Sequence, residues 1–327
     1  MVYNKADKQP GYEACTGCCV CTLPCPVWHQ THDNSLTVHG RARALQGGNT
    51  CSDLKESIMA CVLCGACEPA CPFGIKTVDM TIELRARLAD QNDLPLADQK
   101  AAQEIPTPAP DTMTDALHSH IFLPGRVLRA DKALLGKTFQ LLNTEGRVSI
   151  PSDDGSGLIE MLEAGIQPSP EQKEQFIRPL RKARKLTVTQ GFLHRYLRRW
   201  LPGTSVTGLG ESLLAIKTVQ TCIRPADLYI IETRGFHSDF KRLVSVYHRL
   251  RGKTGCHMNL DLQRIAIPTG AACLQDQLNM NRIDTAKQVR WIIEGRRIDR
   301  IIVESPEDIK PFQDTTKIPV IHISELG

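Results

Sequence analysis

Apolar positions recur at helical spacing in Thr77–Asp90 (TVDMTIELRARLAD) and again near 158–165, 171–185, 238–251 and 283–296, and each stretch predicts a helix. Short apolar runs at Leu228–Glu232, Arg264–Ile267, Arg300–Val303 and Val320–Ile323 predict strands. Over 226–327 these strands alternate with helices, the pattern of an α/β domain with a largely parallel sheet. Residues 113–225 yield only two helices and a basic segment ending in Trp200, so a mostly helical connecting region is expected there. Between 91 and 112 the chain is polar and carries Pro95, Pro106, Pro108 and Pro110, the composition of an extended linker. Residues 1–90 form a separate unit ending in the Thr77–Asp90 helix. The expected fold class is α+β overall.

Composition narrows the function classes. With 41% apolar and 23% charged residues, the chain can bury a core and is not a disordered protein. No apolar run approaches the roughly 18 residues of a membrane span. The opening MVYNKADKQPGYEAC lacks the apolar centre of a secretory signal, so a cytoplasmic location is expected. A net charge of +4 does not call for nucleic acid. Of thirteen cysteines, ten fall between Cys15 and Cys71. In a reducing compartment that density reads as metal ligation rather than a disulfide framework.

Two segments repeat: residues 15–26 (CTGCCVCTLPCP) and 61–72 (CVLCGACEPACP). Both read C-x2-C-x2-C-x3-C-P, the spacing of bacterial ferredoxins that hold two [4Fe–4S] clusters. Three thiolates spaced in this way wrap three corners of a cubane, and the fourth sets off in a new direction with a proline behind it. In that pattern the fourth cysteine serves the other cluster. Cys15, Cys18, Cys21 and Cys71 are then the ligands of one cluster, and Cys61, Cys64, Cys67 and Cys25 those of its neighbour. Zinc sites usually pair C-x2-C units across a longer span, which sets zinc aside. Cys19, inside the first loop, and Cys51 fall outside the pattern and are expected to pack as free thiols.

The residues around the motifs extend the likeness. Gly40, Arg41, Arg43 and Leu45 of HGRARALQGG, the second motif with Gly74, and the Met80–Leu88 helix resemble the α-helical ferredoxin domain of glycolate and lactate oxidase iron–sulfur subunits. The same domain type occurs in the iron–sulfur subunit of anaerobic glycerol-3-phosphate dehydrogenase and in heterodisulfide reductase. This resemblance covers about the first ninety residues. It implies a non-catalytic iron–sulfur subunit of an oxidoreductase complex, relaying single electrons between a flavoprotein or other oxidoreductase subunit and a second acceptor. In those families a domain with a Cys-Cys-Gly element usually follows. Here that element is absent, and only Cys222, Cys256 and Cys273 remain beyond Cys71. Ile267–Cys273 (IPTGAAC) and Glu304-Ser305-Pro306 fall where turns of that kind would lie, so the C-terminal region reads as a degenerate relative, or an unrelated α/β domain, with a docking role. Two alternatives stand beside this reading. One is a heterodisulfide-reductase-like catalytic subunit with a third iron–sulfur site near the three late cysteines. The other is a redox-sensing or assembly protein.

Weaker signals remain. Arg178–Arg199 holds eight basic residues and no acid, and GFLHRYLRRWL is amphipathic. This segment is a candidate docking patch for an acidic partner, or for the inner face of a membrane. VTGLGES at 206–212 reads as a plain turn, and His237 and His257 as structural side chains.

Overall fold

The computed structural model describes residues 11–93, 119–144, 147–261, 264–277 and 283–327. Positions 94–112 of the expected linker lie outside the described residues. Short helices carry the N-terminal unit: Pro26–Thr31, Val38–Gln46, Lys55–Ala60, Cys67–Ala70 and the long Thr77–Asp90 helix. The last of these has the bounds its periodicity predicts, and it buries Val78, Ile82, Leu84 and Leu88.

Beyond the linker lie two four-stranded sheets. The first comprises β1 (His120–Leu123), β2 (Val148–Ser149), β3 (Lys185–Val188) and β4 (Ser205–Gly208) in the order β2-β1-β3-β4. The second comprises β5 (Asp227–Ile230), β6 (His257–Met258), β9 (Arg300–Val303) and β10 (Val320–His322) in the order β10-β9-β5-β6. Every pairing in both is parallel. The first sheet runs second-first-third-fourth in its own chain order, and the second, taken from its other edge, does the same, so the body is a structural duplication of one α/β unit. An antiparallel ribbon of β7 (Leu260–Asp261) and β8 (Ile265–Ala266) is inserted in the second copy.

The region 113–225, expected to be mostly helical, thus carries a whole parallel sheet. Its strands are two to four residues long, and β3 follows the Pro170–Leu180 helix so closely that the two read as one helical stretch over 171–185. The segment expected as a strand at Arg264–Ile267 lies in the antiparallel ribbon, and the parallel sheet takes His257–Met258 instead.

Both sheets are covered on both faces, as parallel sheets require. Ile121, Phe122, Leu186, Leu228, Tyr229, Ile301 and Ile302 are fully buried. One continuous core joins Phe122 and Leu213 of the first unit to Tyr229, Phe236 and Ile302 of the second. A second core packs Leu63, Val78 and Ile82 of the N-terminal unit against Leu186, Phe192 and Leu197 of the first sheet unit. At roughly 1.5–3 kcal/mol per fully buried large apolar side chain, the N-terminal unit is firmly seated on the body.

Candidate metal centres

The two cysteine loops share one backbone form. In the first, Gly17 (φ +82°) and Cys19 (φ +60°) flank Cys18; in the second, Leu63 (φ +54°) and Gly65 (φ +76°) flank Cys64. Left-handed residues on either side of the second cysteine curl each loop into a concavity, and such strain gathers at functional sites. Cys19 therefore occupies the turn position that Gly65 fills in the other loop. Its thiol lies 3.3 Å from His39 Nε2. The fourth cysteines match as well: Cys25 (φ −79°, ψ 116°) and Cys71 (φ −78°, ψ 115°) are extended. Pro26 and Pro72 behind them disfavour the helical alternative, so each fourth cysteine stands apart from its own loop's curl.

The result is two cavities. Cys15, Cys18, Cys21 and Cys71 line one of about 420 Å³, together with Cys19, His39 and Phe73. Cys25, Cys61, Cys64 and Cys67 line the other, of about 430 Å³, together with Arg41. Val38 and Thr77 belong to both walls, so the cavities adjoin. The structure thus brings the eight motif cysteines together as two sets of four, each taking its fourth member from the other loop. Cys51 lines neither cavity and is buried in an apolar cluster with Ile58 and Leu84, against which Cys21 and Cys67 pack.

The donors suit a cluster better than a single ion. Among the described residues no three His, Cys, Asp or Glu side chains converge closely enough to hold one metal ion. The thiols instead stand around a space that a group with its own volume can fill. Burial pushes Cys21 up to about 12, and the neighbouring Cys15, Cys71 and Cys18 add to it. Burial also raises Cys25, Cys64 and Cys67. Cys61 goes the other way: burial pushes it up, but Arg41, Arg85, the Leu63 N–H and the Thr81 hydroxyl outweigh that and hold it below its ordinary value. Four thiols so crowded ionise together only around a positive core, which a metal supplies.

Three side chains hold the second loop: Arg85 of the Thr77–Asp90 helix, which ties it to Glu163 of the body, and His237 and Arg195 of the body itself. Arg85 Nη2 donates to the Cys61 carbonyl at 2.7 Å and Nη1 to the Glu163 carbonyl. His237, held neutral by burial that lowers it to about 4, donates from Nδ1 to the Cys64 carbonyl at 2.7 Å. Arg195 makes a bidentate pair with Glu68, beside Cys67, at 2.6 and 2.9 Å. Arg195 and Arg199 also reach Asp79.

Within Arg178–Arg199, several of the basic side chains are engaged inside the molecule. Arg195 is buried against the N-terminal unit, Arg198 pairs with Asp239 and Arg181 with Glu174. The amphipathic Gly191–Trp200 helix turns its apolar side into the core and its central arginine onto the cysteine loop, so it serves as an internal strut. In 206–212, the Ser212 hydroxyl is bonded to Thr187 and Thr207, which closes that turn internally. Cys222, Cys256 and Cys273 are not brought together. Cys222 is exposed, Cys256 lies in the shared core, and Cys273 lines an interior cavity. Glu68, Arg85, Glu163 and Arg195 carried no local signal; their contacts span about 24 to 127 positions.

The interior cavity, of about 360 Å³, shares Cys64 with the second centre and is bounded across from it by Arg234, Cys273 and Asp308. Burial, with Glu307 and Glu232 nearby, pushes Asp308 up to about 7 even though the Thr269 hydroxyl donates to it. A raised carboxyl stabilises the fold fully below its unfolded value of 3.8 and loses that contribution as pH rises through about 7. Asp308→Asn keeps an acceptor for Thr269 but cannot ionise. Urea midpoints of variant minus wild type are therefore expected to climb between about pH 4 and pH 7 and to level off above that, and a flat difference across that window would contradict the assignment.

Residues 11–75 match the family model described as a 4Fe-4S dicluster domain. No curated protein and no solved structure matches the chain. The N-terminal unit is thus a ferredoxin-like iron–sulfur domain, carried on a duplicated parallel α/β body. Among the described residues no helix is long and apolar enough to cross a membrane.

Proposed function

We propose that this chain is an iron–sulfur electron-transfer subunit of an oxidoreductase complex, with two [4Fe–4S] clusters. The observation that carries the reading is the sorting of the eight motif cysteines into two adjoining cavities by exchange of their fourth members. Cys15, Cys18, Cys21 and Cys71 would hold one cluster, and Cys25, Cys61, Cys64 and Cys67 the other. A bound cluster of this kind supplies one-electron chemistry and, with every iron tied to a thiolate, offers no open position to a substrate.

The protein's own residues give the two centres different tasks. Around the first, Val20, Leu23 and Phe73 are 39%, 58% and 45% exposed, an apolar collar beside an exposed Cys18. This is the face on which a flavoprotein or other oxidoreductase subunit would dock. Around the second, Arg85, Arg195 and His237 fix the loop, and Cys64 among the lining cysteines is buried. A second reading, a heterodisulfide-reductase-like catalytic subunit, needs a third iron–sulfur site, and of the three late cysteines only Cys273 lines a cavity that shares Cys64.

Anaerobic purification followed by iron and acid-labile sulfide assay separates these readings. Two clusters give about eight irons per chain, and their paired spins broaden the EPR spectrum after dithionite reduction. More iron, with an extra signal lost in Cys273→Ser, supports the catalytic reading. Zinc in place of iron overturns both.

A further inference from the structure

The Val38–Gln46 helix runs between the two cysteine-lined cavities. His39 and Ala42 line the first, and Arg41 lines the second. Gly40 lets the helix pack against the Asn34–Ser35 backbone, because a Cβ there would overlap the Asn34 carbonyl. Arg41 is 1% exposed, and among the described residues no carboxylate pairs with it. Its Nη1 donates to the Ser57 carbonyl and, at 3.2 Å, to that of Leu36. Its Nη2 lies 3.4 Å from the Thr81 hydroxyl, and its buried Nε–H has no partner.

That is a costly arrangement for a folded chain. A buried cation without an anion is strongly destabilising, and an unmade buried donor adds to the cost. Arg41 faces the one feature of its surroundings that can offset both, the ring of Cys25, Cys61, Cys64 and Cys67. A thiolate-ligated cluster there carries net negative charge in either oxidation state, and more when reduced. Among the described residues, no arginine or lysine lines the first cavity. Its nearest counterpart, His39, is already engaged by Asn34 and Cys19.

We propose that Arg41 is the built-in charge partner of the second centre. Its Nε–H donates to a sulfur of the cluster held by Cys25, Cys61, Cys64 and Cys67. Its fixed positive charge raises the reduction potential of that cluster above the value burial alone would set. Arg41 is thus a positioning and tuning residue, and its role rests on the two-cluster reading.

The test uses the intact chain, purified anaerobically as wild type, Arg41→Lys and Arg41→Leu, with iron counted first. If the wild type holds less iron than two clusters, it is the underlying reading that fails. With both clusters present, EPR-monitored redox titration should show one midpoint displaced to lower potential in Arg41→Leu, less so in Arg41→Lys, and the other unmoved. Wild type labelled with nitrogen-15 arginine should show a hyperfine coupling from an arginine nitrogen to a reduced cluster, lost in Arg41→Lys. Unchanged midpoints in Arg41→Leu, or no arginine coupling in the labelled wild type, would overturn the proposal. If Arg41→Leu fails to retain its cluster, the labelled wild type and Arg41→Lys decide the matter alone.

Discussion

Cys25→Ser is expected to abolish the cluster of the second motif and to spare the cluster of the motif in which Cys25 itself lies. The reason is geometric. Pro26 holds Cys25 extended and starts a helix behind it, so the Cys25 side chain enters the cavity of Cys61, Cys64 and Cys67. Cys71 is the mirror case, delivered to Cys15, Cys18 and Cys21. Each single substitution should remove about half the iron and the spin coupling in the reduced EPR spectrum, leaving one isolated cubane signal. The two variants then differ in which cluster survives. Cys25→Ser leaves the centre beside the exposed Cys18, which should be oxidised and lost faster in air, while Cys71→Ser leaves the more enclosed centre around the buried Cys64. If ligation followed sequence order instead, Cys25→Ser would leave the enclosed centre, and the air sensitivities of the two variants would be exchanged.

The two sets of cysteines that line the cavities were legible in the sequence because their geometry is local. Three cysteines spaced two apart can meet on one loop only in a few ways, and a following proline restricts the fourth. The Thr77–Asp90 helix was legible for a similar reason, since its buried stripe repeats within its own length. The first parallel sheet was not. β2 has two residues and β1, β3 and β4 have four each; β1 and β3 are buried at three consecutive positions, and strands so short carry no alternation to distinguish them from the end of a helix. The duplication of the body was hidden for the same reason, since it survives in strand order rather than in any repeated run of residues. Arg178–Arg199 was hard to read for another reason. A run of basic residues without acids looks unpartnered, but Glu68 and Asp79 stand 127 and 120 positions away from Arg195 and Arg199 in the chain. Sequence proximity says nothing about charge pairing across a domain contact.

That contact sets the second large effect. Arg195 and Glu68 have side chains only 5% and 6% exposed, and removal of one partner leaves a charge stranded in the interior. Arg195→Leu is therefore expected to cost about 3–5 kcal/mol, the range for breaking a buried pair from one side. Arg199, 44% exposed in its bridge to Asp79, is the internal control, since exposed pairs are worth about 1 kcal/mol or less. Asp79 is held below its ordinary value against the push of burial, by Arg195 first and then by Arg199. The consequence reaches the cluster because Glu68 is adjacent to Cys67 and also accepts from the Val78 N–H at 3.2 Å. When Arg195 is lost, the loop between Cys67 and Cys71 loses its anchor to the body, and both cavities draw a ligand from that loop. Urea unfolding of the intact holo-chain, followed by both far-UV circular dichroism and the visible absorbance of the clusters, should show Arg195→Leu falling well below Arg199→Ala on both signals. Adding Glu68→Leu should recover most of the loss, because a buried pair replaced on both sides by apolar groups is often neutral. A double variant as unstable as Arg195→Leu alone would mean that Arg195 acts through Asp79, and that the clamp on the cysteine loop lies elsewhere.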